Sequence, residues 1–203
     1  MKSSKPKLYL DYCSYDAAEY AVKHWHYSRT MPTAKLVKIG VWENDVFIGC
    51  VIFGGGATPH LLDSYGLTQF EGCELVRVAL NKHITPVTRI ISIAIKLLVK
   101  RCPKLKLIVS FADPSEGHHG GIYQGGNWFY TGTSQDAQFG YVNGKKIHPR
   151  TISEWIKRGK IKKRSDIATI TVKGKHRYLM PLTPNLKVKA SKLCQSFPKR
   201  HKH

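Results

Sequence analysis

Acidic residues are scarce in this 203-residue chain: 13 Asp and Glu stand against 33 Lys and Arg, a formal charge of +20 at neutral pH. That imbalance disfavours cationic partners and favours polyanionic ones. The five cysteines, Cys13, Cys50, Cys73, Cys102 and Cys194, form no Cys-x-x-Cys pair. Their spacing argues against a cysteine-rich zinc site and a disulfide framework, and for a reducing cytoplasm. No apolar run approaches the ~20 residues that cross a bilayer, and the lysine-bearing amino terminus lacks the apolar core of a signal peptide. A soluble, cytoplasmic protein with no membrane partner is expected. Internal repeats are also missing, while a 42% hydrophobic content is enough for a real core.

The charge is unevenly placed. Residues 141–203 hold 18 of the 33 basic residues and only two acids, Glu154 and Asp166. Residues 1–140 have the balance of an ordinary globular enzyme. The expected organisation is a catalytic domain over 1–140 and a basic extension over 141–203, packed on the domain or following it. Nucleic acid is the default partner of such a patch. Lys145, Lys146, Arg150, Lys157, Arg158, Lys160, Lys162, Lys163 and Arg164 are the candidate DNA-binding residues.

Hydrophobic periodicity supplies the elements. Leu8 to Leu10 reads as a strand. Asp16-Ala-Ala-Glu19 has capping-box spacing and opens a helix to about Trp25. Lys35–Glu43 and Val46–Phe53 form a hairpin around Asn44-Asp45. Cys73–Leu80 is a strand on which alternation puts Glu74 and Arg77 on opposite faces. Thr88–Arg101 is a helix with a broad apolar surface, and Leu105–Ala112 is apolar on both faces, as a central strand is. A turn or short helix lies near 118–126, followed by a strand through Tyr130. Thr151-Ile-Ser-Glu154 opens another short helix, and 167–172 with 176–182 suggests a hairpin around Lys173-Gly174. The sum is an α/β (α+β) fold: a mixed, mainly antiparallel sheet flanked by helices.

One stretch concentrates reactive groups. Ser110 to Tyr130 emerges from the apolar strand at Asp113-Pro114 and contains two histidines, two Gly-Gly pairs, Tyr123, Gln124, Asn127 and Trp128. Carboxylate, imidazole, phenol and amide rarely crowd a purely structural loop. A second constellation is His26-Tyr27-Ser28-Arg29. Arg77, within an apolar strand, needs a partner, for which Asp113 or the anion of a ligand is expected.

The element order resembles the GCN5-related N-acetyltransferase (GNAT) fold, in which the helix after the fourth strand faces an acyl-CoA diphosphate. More closely, His26-Tyr-Ser-Arg29, Cys73-Glu-Leu-Val-Arg-Val-Ala-Leu80, Ser110-Phe-Ala-Asp113 and Gly117-His-x-Gly-x-Ile-Tyr-Gln-x-x-Asn-Trp128 resemble the phage Mom family of DNA adenine-modification proteins. The segment Gly174-Lys-His-Arg-Tyr-Leu-Met-Pro181 fits as well. The resemblance implies carbamoylmethylation of adenine in duplex DNA, shielding phage DNA from host restriction. A transferase working on an extruded adenine needs aromatic surfaces, amides to read the base edge and a group to take a proton. On that reading Asp113, Tyr123, His26, Arg77 and Tyr27 are catalytic, with Asp113 a base whose pKa burial would raise. Ser28, Arg29, Ser110, His118, Gln124, Asn127 and Trp128 would bind substrate.

The diphosphate loop of acyltransferases is glycine-rich, whereas Asn81-Lys-His-Ile-Thr-Pro-Val-Thr-Arg89 contains no glycine. Lys82, Thr88 and Arg89 are the candidates to hold the anion of a small-molecule donor, either acyl-CoA-like or an activated glycine-like unit. A metal such as iron could join through His26, Tyr27, Asp113 and His118, although no ligand spacing declares one. Two rival readings are an ordinary small-molecule or aminoacyl-tRNA acetyltransferase and a non-enzymatic, DNA-binding anti-restriction protein.

Overall fold

The protein is described by a computed structural model covering residues 5–33, 35–56 and 58–199. The chain begins with strand β1 (Leu8–Tyr12) and helix α1 (Tyr15–Trp25). The cap of α1 is Ser14, whose side chain accepts from the Ala17 amide at 3.2 Å, so the Asp16–Glu19 box does not start it. Strands β2 (Leu36–Glu43) and β3 (Val46–Gly54) form the expected hairpin. Asn44 and Asp45 both take positive φ there (52° and 64°), the tight mirror-image turn that matches strand twist.

Strand β4 (Gly72–Leu80), helix α2 (Val87–Arg101) and strand β5 (Leu107–Ala112) follow. The site region contains the short helix α3 (Gly121–Gln124) and strand β6 (Phe129–Thr133). Then come β7 (Ala137–Val142), β8 (Lys145–Ile147), α4 (Pro149–Lys157), β9 (Ala168–Val172), β10 (His176–Pro181) and α5 (Pro184–Lys192).

Among the described residues, seven strands make one sheet in the order β1-β2-β3-β4-β5-β10-β6, antiparallel throughout except for the parallel pair β4/β5. This is the expected mixed, mainly antiparallel architecture. A smaller sheet, β8-β7-β9, carries α4. Three sequence expectations are corrected here. Residues 167–172 and 176–182 form no hairpin, because β9 pairs with β7 whereas β10 enters the large sheet between β5 and β6. A boundary at residue 140 therefore cuts through the fold: β10 lies inside the sheet, and the module 137–172 is inserted between two of its strands. Similarly, α4 starts at Pro149 with His148 as its cap, ahead of Thr151.

The decisive irregularity is in β4. Ile52 pairs with Arg77 and Phe53 with Leu75, so Val76 is an extra residue without a partner on β3. This bulge reverses the alternation. Cys73, Leu75 and Val78 pack in the large core with α2, while Val76 and Ala79 pack with α1. Glu74 and Arg77, expected on opposite faces, consequently line the same cleft. Pairing between β4 and β5 ends at Leu75/Ser110, although β4 continues to Leu80 and β5 to Ala112, so the two strands part.

Tyr178 and Leu179 of β10 are fully buried, and Leu186 and Ala190 of α5 pack with Leu107 and Val109 of β5. Burying one such large side chain contributes ~1.5–3 kcal/mol, against a total stability of ~5–15 kcal/mol for a domain. A fragment ending at residue 140 is therefore expected not to fold. Circular dichroism of that fragment should show no cooperative melting, and a cooperative transition would mean that β10 is dispensable.

Candidate active site

The gap between β4 and β5 opens into a cleft of about 1150 Å³, walled by both strands, the end of α1, the start of α2, the 117–123 loop and the inserted module. At its apex, Ser110 Oγ is 2.8 Å from both the Leu75 carbonyl and the Tyr123 hydroxyl. A carbonyl only accepts, so the single serine proton goes to Leu75 and Tyr123 donates to Ser110. Burial pushes the Tyr123 phenol up to about 12, keeping it neutral. Tyr123 also lines the cleft.

His26 and Tyr27 follow the last turn of α1 and enter the cleft beside Arg77. The Ser28 amide donates to His26 Nδ1 at 3.1 Å, and Ser28 Oγ lies 2.8 Å from the same nitrogen. Because an amide can donate only to an unprotonated nitrogen, the imidazole proton is on Nε2. Burial first, then the charges of Arg77 and His118, lower the His26 pKa to about 4. His26 is thus a neutral N–H donor at physiological pH. The half-exposed Tyr27 ring lies 4.3 Å from His26 and meets His118 edge-on at 4.9 Å, forming an aromatic rim. Arg77 donates to the carbonyls of Val76 (2.7 Å) and Thr30 (3.3 Å), and not to Asp113, one of its two expected partners.

Asp113 is buried and fully engaged. One oxygen accepts from the Ser115 amide and hydroxyl (3.0 and 2.6 Å), and the other lies 3.0 Å from Lys175 Nζ. Burial would raise its pKa, but the Ser115 hydrogen bonds and the Lys175 ammonium outweigh it and hold the carboxyl below its ordinary value. The expected upward shift is thereby overturned. Lys175, concealed in the sequence among the basic residues, lines the cleft and ties the end of the inserted module to the site.

Several other candidates lie elsewhere. Gln124 donates to the His119 carbonyl (3.0 Å) and the Tyr178 hydroxyl (3.1 Å), bracing the loop. Asn127 turns the chain at φ 60°, and Trp128 is a buried core residue. Ser28 serves His26, while Arg29 is exposed at φ 48°. At α2, Lys82 and Arg89 are exposed, and Thr88 lines a separate cavity of about 200 Å³ with Ile91, Ile122 and Trp128. His83 and Val87 are the residues of that segment in the cleft. Among the described residues, no three His, Cys, Asp or Glu side chains converge as metal ligands, and no helix is long and apolar enough to cross a membrane.

The nine basic candidates of the module are all exposed. Ile152 of α4 is fully buried, and Trp155 and Ile156 are half-buried beside it, so the apolar stripe faces inward and leaves the basic face outside. Phe139 and His148, in edge contact at 5.2 Å, bring the module to the rim of the cleft.

Solved structures place this architecture in a class. Over most of its length the chain is similar to a protein of Acinetobacter baylyi ADP1 assigned as an acetyltransferase (TM-score 0.50, 13% identity, 90% of this chain and 96% of that one). It is likewise similar to FeeM, an N-acyl amino acid synthase from uncultured soil microbes (TM-score 0.50, 10% identity, 89% and 93%). The fold is GNAT-like. Within that class, the sequence profile of the Mom protein family matches residues 7–199, and the chain belongs to that family. It is 30% identical over 138 residues to the "Methylcarbamoylase mom" of Escherichia phage Mu, a match covering 66% of this chain and 56% of that protein. The match thus spans just over half the length of that relative.

Gly120 opens α3 at φ 82°, and a Cβ there would stand 2.3 Å from the Tyr178 ring. Gly120→Ala is expected to destabilise the fold by ~2 kcal/mol or more through left-handed strain and overpacking, measurable by urea unfolding. Lys175→Met removes the cation beside Asp113, so its pKa should rise. The stabilisation due to a depressed carboxyl exists above its unfolded pKa and fades as pH falls through the folded one. In the variant that stabilisation should be smaller and its loss complete at a higher pH, as followed by NMR titration of Asp113 and acid unfolding.

Proposed function

We propose that this chain transfers a small group to the exocyclic amine of adenine in DNA, a carbamoylmethyl-type modification that protects phage DNA from host restriction. The carrying observation is the position of a polar cleft, with imidazole, phenol and guanidinium groups, directly beside a module whose outer face is basic. The name of the phage Mu relative supports the same direction.

The adenine amine is a weak nucleophile, its lone pair delocalised into the ring, and in a duplex it is stacked and paired. It must leave the helix to react. Lys and Arg of 145–164 would hold the phosphates while the base enters between β4 and β5. Tyr27 and His118 offer ring surfaces at the rim, and the Tyr123 oxygen can accept from the amine deeper in. The Nε2–H of His26 and spare Arg77 N–H groups can bind a donor oxygen as it gains charge. Transfer makes one N–C bond, sends the electron pair of the broken bond to the leaving part of the donor, and releases an amine proton. With Asp113 held ionised by Lys175, the reading gives it an electrostatic role towards the amine as that group becomes positive.

Nucleosides from the DNA of cells expressing the chain should include a new deoxyadenosine derivative by mass spectrometry. Asp113→Asn and Tyr123→Phe should abolish it without weakening DNA binding. Only unmodified nucleosides would leave a DNA-binding protein, whereas normal modification by Asp113→Asn would remove that residue from the mechanism. Neutralising Lys157, Arg158 and Lys160 should lower the slope of log affinity against log salt by about 0.9 for each phosphate that is no longer neutralised.

A further inference from the structure

The turn entering α2, where the GNAT resemblance puts the diphosphate of an acyl-CoA, already holds an anion of the protein itself. Glu43, the last residue of β2, accepts from the Ile84 amide at 2.8 Å through one oxygen. Through the other it accepts from the Thr85 amide at 2.8 Å and the Thr85 hydroxyl at 2.6 Å. Glu43 is 7% exposed. Burial disfavours its charge, but the bonds from Thr85 and Ile84 outweigh it and hold the pKa below the usual carboxylate value. The group is therefore ionised at neutral pH. Its neighbour His83 braces the same turn, with Nδ1 2.8 Å from the Thr85 carbonyl.

A helix entrance binds phosphate because its amides are free and converge on one point. Here the Ile84 and Thr85 amides are committed to a carboxylate and the Asn81 amide donates to Ile48, while the Val87 and Thr88 amides of the first helical turn have no side-chain cap, so any anion drawn to them would meet the Glu43 carboxylate on the turn just before. A diphosphate at this turn would have to displace or lie against a fixed negative charge. The turn also has no glycine to bring its backbone closer to a ligand. The residues present do not fit the nucleotide diphosphate that the fold implies.

We infer that Glu43 closes the α2 turn to diphosphates, so that the donor is anchored within the β4/β5 cleft and not through a nucleotide diphosphate at α2. Glu43 is on this account a specificity-determining residue. The inference rests on the transfer reading only in calling the ligand a donor, since occupancy of the turn is independent of any reaction.

Isothermal titration of the full chain with coenzyme A and with pantetheine, which lacks the diphosphate, tests it. The expected result is that coenzyme A binds no more than about tenfold tighter than pantetheine, or that neither binds. A preference for coenzyme A larger than about tenfold would overturn the inference. Hydrogen exchange adds a second measurement: the Ile84 and Thr85 amides should be protected in the free protein and lose protection in Glu43→Gln. Unprotected amides in the native chain would also overturn it. Neither measurement depends on base modification, so a failed nucleoside assay alongside these results would remove the transfer reading and leave the closed turn.

Discussion

The site depends on the parting of β4 from β5. A parallel pair would ordinarily continue along its full length, burying its amides and carbonyls in a ladder. Here the ladder stops at Leu75/Ser110, and the unpartnered Val76 shifts the phase of β4 immediately afterwards. The backbone polarity freed by the parting is partly absorbed by side chains: Ser110 bonds the Leu75 carbonyl and Arg77 that of Val76. Opening the sheet also requires something beyond it to hold β5. That part falls to β10, antiparallel to β5 along its length and buried at Tyr178 and Leu179.

The polar groups around the cleft are held by neighbours before any ligand arrives. Ser28 fixes the tautomer of His26, Ser110 fixes the proton of Tyr123, and Lys175 with Ser115 keeps Asp113 ionised. Such preorganisation lowers the reorganisation needed when charge develops during reaction. It also shows why the inserted module matters to the site. Lys175 belongs to the short connection between β9 and β10, so the inserted module and the Asp113 carboxylate are joined through one ion pair.

Much of this was legible in the sequence. The β2–β3 hairpin, α1, α2 and the central strand follow from alternation, helical periodicity and the Asn-Asp turn, all local signals. His26, Tyr27, Arg77, His118 and Tyr123 do meet at one cleft. The bulge at Val76 carried no such signal, because a backbone irregularity depends on the register with β3, and it defeated the assignment of faces to Glu74 and Arg77. Lys173-Gly174 has the chemistry of a hairpin turn, yet Gly174 packs against the Ser134 carbonyl, where a Cβ would come within 1.8 Å, and the chain crosses between sheets. Gln124 and Trp128 are chemically suited to a base but are engaged in tertiary contacts that no local pattern records. Glu43 was missed for the same reason, since its partners are some forty residues away.

The central claim is that adenine enters the opening between β4 and β5. Photocrosslinking tests it most directly: duplex DNA carrying 8-azidoadenine is irradiated with the intact chain, and the attached peptides are identified by mass spectrometry. The account predicts adducts on the segment containing His26 and Tyr27 and on residues 111–123, in addition to any on the basic module. Adducts confined to the module, with none on the walls of the cleft, would contradict it.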